Sequence, residues 1–282
     1  MSAVLPPSHL IAQHVSRALA EDIGPRDWTA ELIPANAIGR ATVVAREAAV
    51  IAGQAWFTEC FRQVDPRCHV VWRVQEGEMV FADTELCTLD GPARALLTAE
   101  RSALNFLQTL SSTATLTRRY ADAIAGYRAR IMDTRKTLPG LRVAQKYAVT
   151  VGGGVNQRVG LYDGILIKEN HILAAGSITR AVRQAEALQS GVTIEVEVES
   201  LDELREALDA GVTRILLDEF SLPMMREAVA ITGGRAALEV SGSVNLETIR
   251  AIAATGVDYI SVGALTKNIR AVDLSMRVVI GA

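Results

Sequence analysis

The chain has 282 residues, 49% of them hydrophobic, and a formal net charge of -3. That is enough apolar material for one or two cored domains. The mild acidity argues against general attraction to nucleic acid or to an anionic membrane, so any basic site must be local. No apolar run reaches a membrane span, and the opening "MSAVLPPSHLIAQHVSRALAED" lacks the continuous apolar stretch of a signal peptide, so a cytoplasmic protein is expected. Cys60, Cys68 and Cys87 have no CxxC or zinc spacing and read as buried free thiols.

In chain order, "HLIAQHVSRALAED" has helical apolar spacing. "GRATVVAREAAVIAG", "HVVWRVQEG" and "TELCTLDG" read as strands bounded by turn residues. "ALLTAERSALNFLQTLSSTATLTRRYADAIAG" reads as a helical stretch broken into two helices. From Ile131 short apolar strands end in polar residues: "IMDTRK", "GILIKENH", "TIEVEVES", "RILLDEF", "ALEVSGS" and "YISVGAL". Helical segments lie between them, and alternating βα units imply a parallel sheet with right-handed crossovers. Near-equal spacing, without a GxGxxG after the first strand, favours a βα barrel over an open doubly wound sheet. Six strands are countable, so the expected fold is an N-terminal α/β domain (1–112) followed by an incomplete parallel α/β barrel (113–269). The tail, about 270–282, either closes the barrel or returns to the first domain.

The carboxyl ends of parallel strands converge on one mouth. That mouth is expected to collect Arg135, Lys136, Lys168, Glu197, Glu199, Asp218, Ser241 to Ser243 and Gly263. Between Ile131 and Lys168 stand six basic residues (Arg135, Lys136, Arg142, Lys146, Arg158 and Lys168) and two acids (Asp133 and Asp163). In "EVEVE", Glu195, Glu197 and Glu199 share a strand face by alternation, although Glu195, near the strand start, reads equally as a solvated edge residue. A cationic wall facing carboxylates suits a polyanion carrying Mg²⁺. Lys168 and Glu197 also fit a structural ion pair. "VGGGVNQRVG" reads either as turns or as a loop that approaches phosphate, and "EVSGSV" and "SVGAL" are small-residue turns of the kind that bind phosphate in barrels. His171 in "KENH" reads as a structural hydrogen-bond partner.

The segments "EDIGPRDWTAELIP", "AERSALNFLQTLSSTATLT", "DTRKTLPGLR", "KYAVTVGGGVNQRVGLYDGILIKENHI", "EVEVESLDEL", "ILLDEF", "LEVSGSVN" and "DYISVGALTKN" resemble, in order, the signatures of quinolinate phosphoribosyltransferase, also called nicotinate-nucleotide pyrophosphorylase (carboxylating). A branch associated with molybdenum transport shares much of the pattern. The resemblance implies a homodimer converting quinolinate and phosphoribosyl pyrophosphate, with Mg²⁺, into nicotinate mononucleotide, pyrophosphate and CO₂. It implies that Arg101 reaches into the partner's site. Thr134, Arg135, Gln157, Arg158 and Lys168 would then bind substrate, with Lys136 and Lys168 near the pyrophosphate. Glu197 and Asp218 would serve metal and ribose, and Ser241, Gly242, Ser243, Gly263 and Ala264 the phosphate loops. Lys136, Lys168, Glu197 and Asp218 are the catalytic candidates. The chain departs from the family pattern at Gln157, where histidine is usual, and at Ser112 and Ser243. A Lys168 Schiff-base aldolase and a non-catalytic binding protein are the rival readings.

Overall fold

The computed structural model describes residues 3–281. The chain falls into two compact units. One runs to Arg118 and also takes Thr137–Gly153 and the residues from Thr266 onward; the other comprises Arg119–Lys136 and Gly154–Leu265.

The first unit holds helices α1 (Ser8–Ile23) and α2 (Gln54–Val64) and strands β1 (Ile38–Ala45), β2 (Ala49–Val50), β3 (His69–Trp72), β4 (Met79–Val80) and β5 (Glu85–Pro92). Helix α3 (Ala93–Ala123) follows; the division between the units falls inside it. Strand β12 (Leu274–Ile280) pairs antiparallel with β1, giving the sheet order β12-β1-β5-β3. In β1, Ala41, Val43 and Ala45 are buried at alternate positions, as a one-sided sheet requires. They pack in a core with Trp56, Phe57, Phe61 and Leu89.

Helix α3 is one helix of 31 residues, not the two expected. Two of its hydroxyls reach outside the helix and leave it intact. Ser111 Oγ accepts from the Ala52 amide at 3.0 Å and Thr115 Oγ1 from the Val50 amide at 2.8 Å. Between Ala93 and Ala123 there is neither glycine nor proline to stop the helix. Helix α4 (Arg142–Val151) belongs to the same unit.

The second unit is built on six parallel strands: β6 (Arg130–Met132), β7 (Ile165–Ile167), β8 (Ile194–Val198), β9 (Arg214–Asp218), β10 (Ala237–Ser241) and β11 (Tyr259–Ser261). Helices α5 (Glu169–Ala175), α6 (Ile178–Ala187), α7 (Leu201–Asp209), α8 (Leu222–Thr232) and α9 (Ile249–Ala253) connect them. Ser177, Ser200 and Ser221 cap α6, α7 and α8 by accepting backbone N–H bonds. The strand order is β6-β11-β10-β9-β8-β7. Consecutive strands are neighbours and the first joins the last, a cyclic order with its seam open between β6 and β7. A doubly wound sheet would instead reverse direction in mid-sheet. At the seam Val155 makes a single parallel bridge to Met132.

Candidate active site

Polar side chains gather at the carboxyl ends of the second unit's strands. Lys168, the residue after β7, places Nζ 2.5 Å from Glu197 Oε2 on β8. Asp218 ends β9 and accepts from Ser241 Oγ, at the end of β10, at 2.6 Å. Lys136 donates its backbone N–H to Thr134 Oγ1 at 3.1 Å, and its aliphatic stem lies over Gly263. Thr134, Lys136, Lys168, Glu197, Asp218, Ser241 and Gly263 therefore all stand at or just beyond strand ends, and Ala264 follows directly.

The turn after β10 is conformationally demanding. Gly242 has φ +97°, and a Cβ there would lie 2.6 Å from the Glu219 carboxylate. Glu219 and Ser243 themselves have positive φ, 51° and 41°. Left-handed backbone at two non-glycine residues after adjacent strands stores strain of the kind concentrated at functional sites.

Gln157 and Arg158 follow the Val155 bridge to Met132, on a loop tied to Asp133 just past the carboxyl end of β6. With Asn156, Asp163, Gly164, Thr193, Glu195 and Arg214 they line a cavity of about 200 Å³ near the amino ends of β7, β8 and β9. Buried Asp133 positions this loop by accepting from Asn156 Nδ2 at 2.6 Å and from the Gln157 amide at 2.9 Å. Arg158 Nη1 donates to the Gly164 carbonyl at 2.9 Å, while its Nε is buried with no hydrogen-bond partner. Burial, and then the like charge of Arg135, hold the Arg158 guanidinium below its usual range. Around the cavity Arg158 and Arg214 are set against Asp163 and Glu195, two cations and two acids.

Glu195 is not a solvated edge residue. It is 5% exposed, because the alternation that faces Glu197 inward faces Glu195 inward too. Arg214 Nε donates to Glu195 Oε1 and Arg214 Nη2 to Glu239 Oε2, each at 3.0 Å. Burial, then the neighbouring Glu195, push the Glu239 carboxyl up to about 8. Sequence reasoning looked to strand ends and missed Arg214 and Glu239. The signal was a charge at the first position of "RILLD" and at the third of "ALEVS".

Other expected residues have plainer settings. Glu199 is exposed beyond β8, and its carboxyl is raised by Glu169, which hydrogen-bonds with it. His171 Nδ1 accepts from the Lys168 amide at 3.1 Å, a structural contact at the start of α5. In the glycine run, Gly152 is there for packing: a Cβ would meet the Ala114 carbonyl oxygen at 2.4 Å. Arg101 is exposed on α3, and Arg142 and the buried Lys146 sit on α4, all in the first unit. Among the described residues no group of three or more His, Cys, Asp or Glu could hold a metal ion, and no helix is long and apolar enough to cross a membrane.

The family profile "Quinolinate phosphoribosyl transferase, C-terminal domain" matches residues 113–277, and the corresponding N-terminal domain profile matches 27–111. The chain is 40% identical over 301 residues to quinolinate phosphoribosyltransferase [decarboxylating] 2b, mitochondrial, of Nicotiana tabacum, covering 98% of this chain and 85% of that one. It superposes on the nicotinate-nucleotide pyrophosphorylase of Francisella tularensis with a TM-score of 0.95 and 45% identity, covering 99% of both chains. The Ehrlichia chaffeensis nicotinate-nucleotide pyrophosphorylase gives 0.90 and 36%, covering 95% and 98%. With both domain profiles matched in order along the chain, it belongs to the quinolinate phosphoribosyltransferase family, enzymes of NAD biosynthesis.

Proposed function

We propose that this chain transfers the phosphoribosyl group of phosphoribosyl pyrophosphate to the ring nitrogen of quinolinate and releases CO₂, giving nicotinate mononucleotide and pyrophosphate. The observation that carries this reading is the gathering of Lys136, Lys168, Glu197, Asp218 and Ser241 at the carboxyl ends of the parallel strands. A carboxylate of the pyridine ring would give the buried Arg158 Nε an acceptor.

In this reading the ring nitrogen attacks the ribose C1 as the bond to pyrophosphate breaks. Lys168 and Lys136 meet the charge that grows on the departing oxygens. Once the nitrogen is quaternary, the C–CO₂ bond breaks, its electron pair is stabilised by the ring, and a proton from water replaces CO₂. Lys168 Nζ is engaged with the Glu197 carboxylate at 2.5 Å instead of standing in an apolar pocket, which argues against the Schiff-base alternative.

The donor set fits Mg²⁺ arriving on the diphosphate better than a resident ion. Glu197 and Asp218 supply carboxylates from neighbouring strands, and Mg²⁺ usually takes one or two protein carboxylates alongside substrate oxygens. When bound, Mg²⁺ supplies charge neutralisation for the diphosphate. The turns at Ser241, Gly242 and Ser243 and at Gly263 and Ala264 are assigned to phosphate oxygens. The enzyme is read as a homodimer in which the exposed Arg101 serves the partner's site, and as cytoplasmic, consistent with three free buried cysteines.

The test is turnover: nicotinate mononucleotide formed from quinolinate and phosphoribosyl pyrophosphate, with Mg²⁺ and with excess chelator. Product formation that stops with the chelator supports the reading; no product with Mg²⁺ present overturns it.

A further inference from the structure

Arg214 opens β9 beneath the charged mouth, and its guanidinium joins five strands. It donates to Glu195 on β8 and Glu239 on β10, each at 3.0 Å, and lies 3.1 Å from Met132 Sδ on β6. Its central carbon stands 4.8 Å from the centroid of the Tyr259 ring on β11. The two carboxyl groups are 6% and 1% exposed. Glu239 Oε1 takes the Ser261 hydroxyl, also from β11. Glu195 Oε2, the oxygen turned away from Arg214, accepts from Gln157 Nε2 at 3.1 Å.

A carboxylate whose two oxygens are each engaged has little freedom to rotate. Glu195 is gripped on one side by Arg214, so its other oxygen offers Gln157 a fixed acceptor. The Gln157 backbone is anchored separately by Asp133, and Arg158 is the next residue. Seated in this way, the Gln157 side chain has both its root and its tip defined.

We propose that Arg214 is a positioning residue: through Glu195 it sets the orientation of the Gln157 amide, and so the shape of the pocket that takes the pyridine dicarboxylate. This rests on the functional reading above but assigns a role to a residue outside the charged mouth. The paired guanidinium is a structural part of the layer, whereas Gln157 is the group that meets the ligand.

Arg214→Lys keeps the charge but loses the fork that spans both carboxyl groups. The expected result is a quinolinate KM raised about five- to tenfold, with the co-substrate KM within about twofold. In a Gln157→Ala background the same change should add less than about twofold, because the group it acts through is gone. Equal effects on both KM values, or the same factor in both backgrounds, would overturn the proposal. If Arg214→Lys does not fold, Glu195→Gln replaces it in the same cycle. It retains the volume but turns an NH₂ either towards Arg214 or towards the Gln157 amide. A second readout does not need catalysis: in protein labelled with ¹⁵N-glutamine, the Gln157 side-chain amide signal, identified by its loss in Gln157→Ala, should move in Arg214→Lys or Glu195→Gln. An unmoved signal overturns the proposal. If the unaltered enzyme forms no product, the functional reading fails, and this signal alone decides the positioning role.

Discussion

Lys168 and Glu197 hold each other across neighbouring strands, Nζ to Oε2 at 2.5 Å, with the lysine side chain 47% exposed and the glutamate 9%. The pair stands at the open end of the sheet, so the ammonium has a partner at rest and remains accessible to an incoming anion. Because Glu197 is buried, removing the lysine would leave its carboxylate short of a partner, which costs stability as well as function.

Lys168→Met should therefore lower both activity and stability. Turnover is expected to fall by about 10²–10³-fold, the scale of losing one transition-state charge contact, and the thermal midpoint to drop because buried Glu197 loses its partner. Mixing this inactive variant with Arg101→Ala should restore about a quarter of the competent sites if random dimers share sites across the interface. Steady-state rates and a melting curve on the same preparations check both outcomes.

Gln157→His places a ring that can carry charge between the Asp133-anchored loop and Glu195. The quinolinate KM should change by about three- to tenfold and the phosphoribosyl pyrophosphate KM by less than about twofold. Equal changes in the two constants would argue against a role on the carboxylate side of the acceptor.

Gly242→Ala should affect both stability and co-substrate binding. The backbone there has φ +97°, and the added methyl would meet the Glu219 carboxylate at 2.6 Å. A loss of about 1–3 kcal/mol in a urea melt is expected. The co-substrate KM should rise more than the quinolinate KM if this turn cradles phosphate.

Glu239 makes stability depend on pH in a direction opposite to that of an ordinary salt-bridged carboxylate. Its folded-state value is raised to about 8 from 4.5, so between these values the native state binds more protons than the unfolded chain. Its contribution is fully present below 4.5 and is lost as pH rises through about 8. The slope attributable to this one group is at most about 1.4 kcal/mol per pH unit. Urea midpoints measured from pH 6 to pH 9 should fall, and the fall should flatten in Glu239→Gln.

The strand ends were legible because a parallel array sends them to one place, and the polar residues closing "ILIK", "RILLD" and "ALEVS" mark that place without any coordinates. The layer beneath was not. Glu195 could be read as buried or solvated, since alternation states only that it shares a face with Glu197, and the inward sense of that face depends on which strands flank it. Arg214 and Glu239 share inward faces with Asp218 and Ser241, so strand parity carried across β9 and β10 would have drawn them into one layer. The single long helix was read as two, although Ala93–Ala123 holds no glycine or proline to stop it; Ser111 takes the Ala52 amide and leaves the helix unbroken. Gln157 and Arg158 sit between the carboxyl end of β6 and the amino end of β7, at the open seam, a tertiary feature that local pattern does not encode.

The pairing of β1 with β12 has a consequence for biogenesis. Every residue from Gly39 to Ala45 has its antiparallel neighbour within Leu274–Ile280. At about 5–20 residues per second, a ribosome takes roughly 10–50 s to travel from one strand to the other. During that interval the first sheet waits with an open edge, while the intervening parallel strands emerge and can fold. The nascent chain thus keeps its earliest strand incomplete until late in translation, the period in which a chaperone would be most useful to it.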